Sequence, residues 1–385
     1  MVEVGDGDTT KSPVKTAIRI GIDARPLSYQ LTGIGIYLQC ILEKLQEIDT
    51  INYYYLISNA PINIRLKNNK WSKIEGKVKR KMLSTAWIQI HAPLIVNKKK
   101  IDLFWGPRHH IPVFLPTKTK TVVTIHDIVH RLYPGTMALP NLLVERMLMR
   151  HSVNRSNAII TDAESIANDV IKTYKLDNHK VHTVYPGIPP LKNSFVDESN
   201  RRCDLPVPYF LFVGTFEPRK NFERIFKAFA SINPELHNVH LVVVGSGGWK
   251  NKDFFNKLNN HPIKHRIRFT GYVARDVLSQ YYRNALCLLY PSVYEGFGFP
   301  ILEAMECELP VITGNSSSMP EVADDAAVIV DSFDEKEIAC AMIEIINNKK
   351  LRNRLIDKGK KRARQFSWSN CAKEFMQICE AVIES

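Results

Sequence analysis

The run Ala285-Leu-Cys-Leu-Leu-Tyr290 continues into Pro291-Ser-Val-Tyr-Glu-Gly-Phe-Gly-Phe299 and then into Pro300-Ile-Leu-Glu-Ala-Met-Glu306. The first stretch is a short apolar run of strand type, and the second is a loop carrying two glycines. The third opens with a proline, which suits the first position of a helix. A strand that feeds a helix through a glycine loop is the repeating unit of a parallel α/β sheet. The backbone N–H groups of Phe297, Gly298, Phe299 and Ile301 are then expected to point out of the helix start, where an anion is favoured. Glu303 falls in the expected first turn and Glu295 in the loop before it. Carboxylates so placed can accept hydrogen bonds from sugar hydroxyls while the amides hold phosphate. For a lone first-turn glutamate, complementing the helix dipole would be explanation enough; the whole segment favours a binding site.

The same unit recurs on both sides. Downstream of residue 208 it appears as Tyr209 to Gly214, Leu241 to Gly245 and Leu309 to Thr313. Upstream it appears as Ala17 to Ile22, with helical spacing from Ile36 to Ile48, then as Val122 to Ile125 and Ala158 to Ile160. Between the two sets, Pro189 to Pro208 carries four prolines and two asparagines, the composition of a linker. The reading is two doubly wound α/β domains. Residues 1–15 are a tail, 16–190 and 209–367 the domains, 191–208 the linker and 368–385 a terminal amphipathic segment. Ligands of such sheets sit beyond the carboxyl ends of the strands, so the cleft between the domains is the expected site.

Composition narrows the function. The chain has 385 residues, 45% hydrophobic and 24% charged, which excludes a small disulfide-stapled module and a low-complexity scaffold. Its net charge of +13 favours an acidic partner: nucleic acid, an anionic membrane face or a phosphorylated substrate. No helix-turn-helix, RNP or zinc-finger pattern accompanies the charge, so nucleic acid is not expected. The seven cysteines are scattered without a C-x-x-C pair, which predicts reduced thiols in a cytoplasmic setting. Met1 to Lys15 is polar and of mixed charge, so no leader peptide is expected, and no apolar run is long enough to span a bilayer.

Further segments carry candidate residues. Gly214-Thr-Phe-Glu-Pro-Arg219-Lys220-Asn221 follows a strand and opens a helix, so Arg219 or Lys220 can reach a phosphate at the sheet edge. Fixed cations there can stabilise a leaving diphosphate in place of a divalent metal. Leu31-Thr-Gly33-Ile-Gly35 precedes a helix but has Leu38 where a dinucleotide fingerprint needs a third glycine. Thr124-Ile-His126-Asp127-Ile-Val-His130 lies at a strand's carboxyl end. The spacing of His126 and His130 suits metal only on a helix, so no metal site is expected. Trp105-Gly-Pro-Arg108-His109-His110 is a second strand-end loop. Arg65 to Lys81, with Trp71, and Lys98-Lys-Lys100 are basic and could meet an anionic leaflet or merely be solvated.

Taken together, E-G-F-G-F-P-I-L-E-A-M with L-P-V-I-T and M-P-E-V, G-T-F-E-P-R-K-N, T-I-H-D and V-Y-P-G-I resemble the retaining glycosyltransferases of family 4, from about Ile18 to Glu380. The resemblance implies the GT-B architecture, two Rossmann-like domains facing across a cleft, with the last helix crossing back to the first domain. It implies that Lys220, with Arg219, holds the donor diphosphate, Glu303 the nucleotide ribose and Glu295 the transferred sugar. It places Gly296, Phe297, Gly298, Phe299 and Leu302 at the donor, Gly33 and Gly35 beside its diphosphate, and Val273 by the base. His126, Glu295 and Lys220 form the implied catalytic set, with Arg108, His109 and Asp127 on the acceptor side. Thr215 departs from the family, many of whose members carry arginine there, so the phosphate clamp rests on Arg219 and Lys220. The implied reaction moves a hexose from a nucleotide-diphosphate sugar, GDP-mannose over a UDP-hexose, to a saccharide acceptor, lipid-linked through polyprenyl diphosphate, in surface polysaccharide (O-antigen) assembly. No cofactor or metal is implied, and the enzyme is expected in the cytoplasm or peripherally on the inner membrane face. A nucleotide-sugar epimerase of the same fold and a non-catalytic sugar-nucleotide binder are the competing readings.

Overall fold

A computed structural model describes residues 16–78, 80, 83–137, 139–191, 205, 208–233, 238–245, 256 and 258–385. The expected tail and nearly all of the expected linker lie outside the described residues. Among the described residues the strands form two sheets. The first contains β1 (Arg19–Asp23), β2 (Tyr53–Ser58), β3 (Trp71–Glu75), β4 (Leu103–Gly106), β5 (Lys120–Ile125), β6 (Ala158–Thr161) and β7 (Val181–Thr183). The second contains β8 (Tyr209–Val213), β9 (His240–Val244), β10 (Ile267–Gly271), β11 (Cys287–Tyr290), β12 (Val311–Gly314) and β13 (Val328–Val330). Every pairing is parallel, in the orders β3-β2-β1-β4-β5-β6-β7 and β10-β9-β8-β11-β12-β13. Strand order therefore reverses between β1 and β4 in one sheet and between β8 and β11 in the other. A crevice opens at such a reversal, outside the carboxyl ends of the strands.

Period-two alternation assigns each side chain to a face. In β8, Tyr209 and Leu211 enter one core cluster while Phe210 and Phe212 enter another with helix Phe222–Ser231. The strands are apolar on both faces because helices cover both. On the first sheet, helices Ser84–Lys99, Leu139–Arg155 and Glu164–Tyr174 cover one face. Helix Gly33–Ile48 and the C-terminal helix Trp368–Glu384 cover the other. The C-terminal helix sets Phe375 against Trp105 with ring centroids 4.2 Å apart and Met376 Sδ within 3.1 Å of the Tyr54 hydroxyl.

Several expectations shift by local chemistry. The first long helix begins at Gly33 rather than Ile36. The helix after β11 begins at Phe299, so Pro300 holds its second position. The V-Y-P-G-I segment is not a strand, because β7 ends at Thr183 and Pro186 has no N–H for a ladder. Gly187 instead packs on the chain entering the C-terminal helix, where an added Cβ would lie 2.3 Å from the Trp368 nitrogen, and Trp368 Nε1 donates to Ile188 O at 2.9 Å. Trp71 is buried and stacked on Tyr54, 3.9 Å between centroids, which removes it from the basic surface around it.

The M-P-E-V segment acquires a structural role. Glu321 accepts from Glu164 N at 2.6 Å, Ser165 N at 2.9 Å and the Tyr185 hydroxyl at 2.7 Å. A carboxylate from the second half thus caps the N-terminus of helix Glu164–Tyr174 in the first half, satisfying two of its orphan donors. Glu321→Ala is expected to lower unfolding free energy by about 1–2 kcal/mol, the upper range for a lost cap. Urea denaturation measures it, and a midpoint equal to that of the parent would refute the assignment.

Candidate active site

The loops after β8 and β11 meet at the reversal of the second sheet. After Gly214 the chain turns through Pro218–Lys220, and buried Asn221 sits in the left-handed region at φ 61°. Asn221 Nδ2 donates to Pro291 O at 2.9 Å and so ties the two loops together. Between them Glu295 is 4% exposed, and each of its oxygens takes one cation. Lys220 Nζ donates to Oε1 at 2.6 Å, and Arg219 Nη1 to Oε2 at 2.9 Å. Lys220 also donates to the Tyr290 hydroxyl at 2.9 Å, and Arg219 Nε to Glu217 Oε2 at 2.8 Å. Burial alone would raise the Glu295 pKa, but the adjacent Lys220 and Arg219 charges bring it down to about 2. Burial lowers Lys220 from its ordinary value, the Glu295 charge opposing.

Glu303 lies one turn into helix Phe299–Glu306, not in its first turn. It is 3% exposed, accepting from the Tyr282 hydroxyl at 2.8 Å and pairing with Arg275 Nη1 at 2.9 Å. Sequence reading missed both partners. Their seven-residue separation, which puts two side chains on one helix face, was the available signal. Arg275 also donates to Pro189 O at 3.1 Å, just before the expected linker. At the helix start Gly298 has φ 98°, and Ile301 N donates to Gly298 O at 3.0 Å. Ile301 therefore leaves the expected anion-binding set, while the amides at Gly298 and Phe299 precede that first bond. Leu302 is fully buried in the apolar core, so its side chain cannot line a donor site. Val273 is half-buried against the same core, between β10 and helix Arg275–Asn284.

The first half meets this loop at Gly296. A Cβ there would fall 2.1 Å from His126 O and 3.5 Å from Asp127 Cβ, so only glycine lets the two halves close here. His126 is 7% exposed, with Nδ1 2.6 Å from Asp162 Oδ2 and Nε2 2.9 Å from Pro107 O. In its charged form, which the Asp162 carboxylate favours, the ring donates from both nitrogens, one to each partner. The ring thus presents no free nitrogen to the cleft, contrary to the sugar contact implied for it. Asp127 Oδ1 accepts from Val129 N at 3.1 Å, and His130 Nε2 meets the Tyr174 hydroxyl at 2.8 Å, apart from His126.

Around the reversal of the first sheet, buried Asp23 pairs with Arg25 at 2.6 Å. Burial lowers the pKa of nearby Arg108, with the Arg25 charge adding to the effect. His109, at φ 68°, has its ring 5.6 Å from that of His126, and its Nε2 is buried without a hydrogen-bond partner in the described structure. An orphaned buried nitrogen beside the cleft is a place for a ligand or water. Gly33 opens its helix with nothing within 4 Å of an added Cβ, whereas Gly35 closes on Leu31 and on Pro26 O at 3.2 Å. The loop residues Arg219, Lys220, Glu295 and Gly296 are thus brought together with His126 and Asp127.

The His126–Asp162 pair sets a pH dependence. Burial disfavours the charged ring, but the Asp162 charge and hydrogen bond outweigh it, so its pKa lies above the ordinary 6.5. A raised folded-state pKa gives stability that is complete below the unfolded value and is lost as pH climbs through the folded one. As pH rises from the ordinary histidine value of 6.5 through the raised folded-state pKa, the parent should therefore lose more unfolding free energy than His126→Asn. Parallel stability–pH curves for the two proteins would contradict the charged ring.

Similarity to known proteins follows the same division. Glycosyltransferase Family 4 matches residues 75–190, and Glycosyl transferases group 1 matches residues 199–362. The chain is 26% identical to O-antigen chain mannosyltransferase B of Escherichia coli over 92% of its own length and 97% of that protein's. It is also 26% identical to O-antigen chain mannosyltransferase RfbU of Salmonella typhimurium, over 82% and 88% of the two lengths. Sucrose-phosphate synthase from Thermosynechococcus elongatus superposes with a TM-score of 0.73 at 17% identity, covering 95% of this chain and 99% of that one. WaaG, a glycosyltransferase involved in lipopolysaccharide biosynthesis, superposes with a TM-score of 0.69 at 18% identity, covering 94% and 99%. The chain thus has the GT-B fold of two Rossmann-like sheets and carries, in tandem, a Glycosyltransferase Family 4 domain and a Glycosyl transferases group 1 domain.

Proposed function

We propose that this glycosyltransferase moves mannose from GDP-mannose, with a UDP-hexose the less favoured donor, onto a saccharide carried by polyprenyl diphosphate. Both relatives named above are O-antigen mannosyltransferases, which supports a place in surface polysaccharide assembly. The observation that carries the reading is the Arg219–Glu295–Lys220 cluster at the β8–β11 crevice, with Glu295 on the loop that leads into helix Phe299–Glu306.

In this scheme the diphosphate lies across Lys220, Arg219 and the amides at Gly298 and Phe299. The bond from the anomeric carbon to the β-phosphate oxygen breaks first, leaving an oxocarbenium-like centre. The acceptor hydroxyl approaches on the face the diphosphate is leaving, its oxygen bonds to the anomeric carbon, and its proton passes to the departing phosphate. The configuration is retained. Developing charge on the phosphate is met by fixed cations and helix amides, so no divalent metal is required. His126 acts by position and charge: its imidazolium adds positive potential, and its carbonyl seats the Glu295 loop through Gly296. Glu303 binds the ribose once Arg275 and Tyr282 share it, and Arg108, His109 and Asp127 face the acceptor.

Lys220→Ala leaves Glu295 paired with Arg219, and it is expected to lose about 10²-fold or more in kcat, the scale of one lost transition-state donor. Near-parental turnover would contradict the scheme. Thermal-shift profiles against GDP, UDP and their sugars should rank the guanosine compounds first, and activity should persist in EDTA. Anomer assignment of the product by NMR tests retention. Nucleoside diphosphate released equally fast without an acceptor would sink the transfer reading in favour of an epimerase.

A further inference from the structure

Glu217 lies at the rim of the cation cluster, its side chain 30% exposed against 6% for that of Glu295. Its Oε2 accepts from Arg219 Nε at 2.8 Å, and its Oε1 accepts from the Thr215 hydroxyl at 3.0 Å. Thr215, where the family resemblance leads one to expect arginine, thus supplies a hydroxyl that holds an acid instead of another cation. The backbone fixes this turn, since Glu217 N donates to Thr215 O at 2.8 Å and Lys220 N donates to Glu217 O at 2.9 Å.

The hydrogens of the two cations show what the acid leaves open. A guanidinium has five N–H hydrogens and an ammonium three. Arg219 uses Nε on Glu217, and Nη1 on Glu295 and on Tyr294 O at 3.2 Å. Among the described residues its Nη2 has no hydrogen-bond partner. Lys220 uses two hydrogens, on Glu295 and on the Tyr290 hydroxyl, and keeps a third. Hydrogens left over in this way can meet phosphate oxygens without displacing either glutamate. The donors of an anion site are therefore in place while its charge is cancelled.

Glu295 alone would leave one surplus positive charge, and Glu217 removes it. Burial works against the charged Arg219, yet the Glu295 and Glu217 charges hold its pKa above the ordinary value, and the Glu217 charge reaches Lys220 as well. Holding Arg219 in place needs only a neutral acceptor at this position. A carboxylate there also repels an incoming anion. Within one binding site, affinity lost in this way appears mainly as faster departure.

We propose that Glu217 is a positioning residue of the diphosphate subsite, which aims Arg219 and sets how fast the nucleoside diphosphate leaves. The inference rests on the diphosphate lying at Lys220 and Arg219, and it adds that the acid beside them tunes release.

Equilibrium and stopped-flow binding of GDP and UDP to the full chain tests this without an acceptor. Glu217→Gln keeps a carbonyl acceptor for Arg219 Nε and removes the charge. It is expected to bind the nucleoside diphosphate about tenfold more tightly than the parent does, through slower dissociation. The gain should shrink in high salt, as a charge effect does. Glu217→Ala removes the charge and the Nε anchor together and should forfeit most of that gain. Lys220→Ala reports on the placement itself and should weaken binding. Unchanged or weaker binding by Glu217→Gln, with Lys220→Ala still weakening it, would overturn the tuning role and leave the placement intact. Equal tightening by Glu217→Gln and Glu217→Ala would overturn the positioning of Arg219. If Lys220→Ala bound like the parent, or the parent bound neither compound, the placement and this inference would fall together. Thermal midpoints equal to that of the parent confirm that the variants are folded.

Discussion

Glu295 is a carboxylate almost wholly out of water, and the fold around it is arranged to make that tolerable. Burying one unpaired charge costs several kcal/mol, and a pair recovers it only with good geometry and further hydrogen bonds. Here Lys220 and Arg219 each take one oxygen, Tyr290 takes a second bond from Lys220, and Glu217 balances Arg219. Glu217, Arg219 and Lys220 are all far from Glu295 in sequence. They meet because β8 and β11 are neighbours in a parallel sheet, so their carboxyl-end loops emerge side by side. Asn221, bonded to Pro291, locks those loops in register.

The charge arithmetic of this cluster bears on how a ligand would be received. Arg219 and Lys220 contribute two positive charges, and Glu217 and Glu295 two negative ones, so without a ligand the cluster is neutral. In the proposed scheme a diphosphate would bring negative charge into a site whose cations already have partners. It must share them, and the neutral balance then tips negative unless other positive potential is at hand. The amides at the start of helix Phe299–Glu306 supply one such source. His126, whose carbonyl touches the same loop and whose ring is favoured in its charged form beside Asp162, supplies another. A resting site with internally paired cations is thus consistent with reversible binding of a highly charged donor. Bare cations would hold the leaving diphosphate after transfer.

The alternation of apolar runs with helical spacing made the two parallel sheets legible, and the glycine loop after Tyr290 marked where chemistry would gather. Contacts that depend on long-range closure were not legible. Nothing local to Glu303 announces Arg275 and Tyr282, which arrive from the preceding helix. His126 read as a strand-end ligand because the sequence does not show that Asp162 and Pro107 take both its nitrogens. Trp71 read as a surface aromatic among lysines, yet β3 pairs with β2 and lays its ring on Tyr54. Leu302 shared a motif with donor residues, and its helix turned it into the core. In each case identity and spacing were visible while the partner lay on another element of the fold.

Beside ring contacts such as Tyr133 with Tyr294, the junction between the halves is built from contacts that are polar or sterically exacting. Gly296 admits the His126 carbonyl, Gly187 admits the Trp368 backbone, and Glu321 caps a helix across the cleft. Such contacts are all-or-none in a way that an apolar interface is not, since a small separation loses the hydrogen bond or the close approach outright. Arg275 extends the pattern by touching Glu303 at the β8–β11 crevice and Pro189 at the edge of the crossing segment. A ligand hydroxyl that competes for Glu303 therefore weakens one anchor of the guanidinium whose other anchor is the chain joining the halves. In the proposed scheme, donor occupancy and the seating of the two sheets would draw on one connected set of hydrogen bonds.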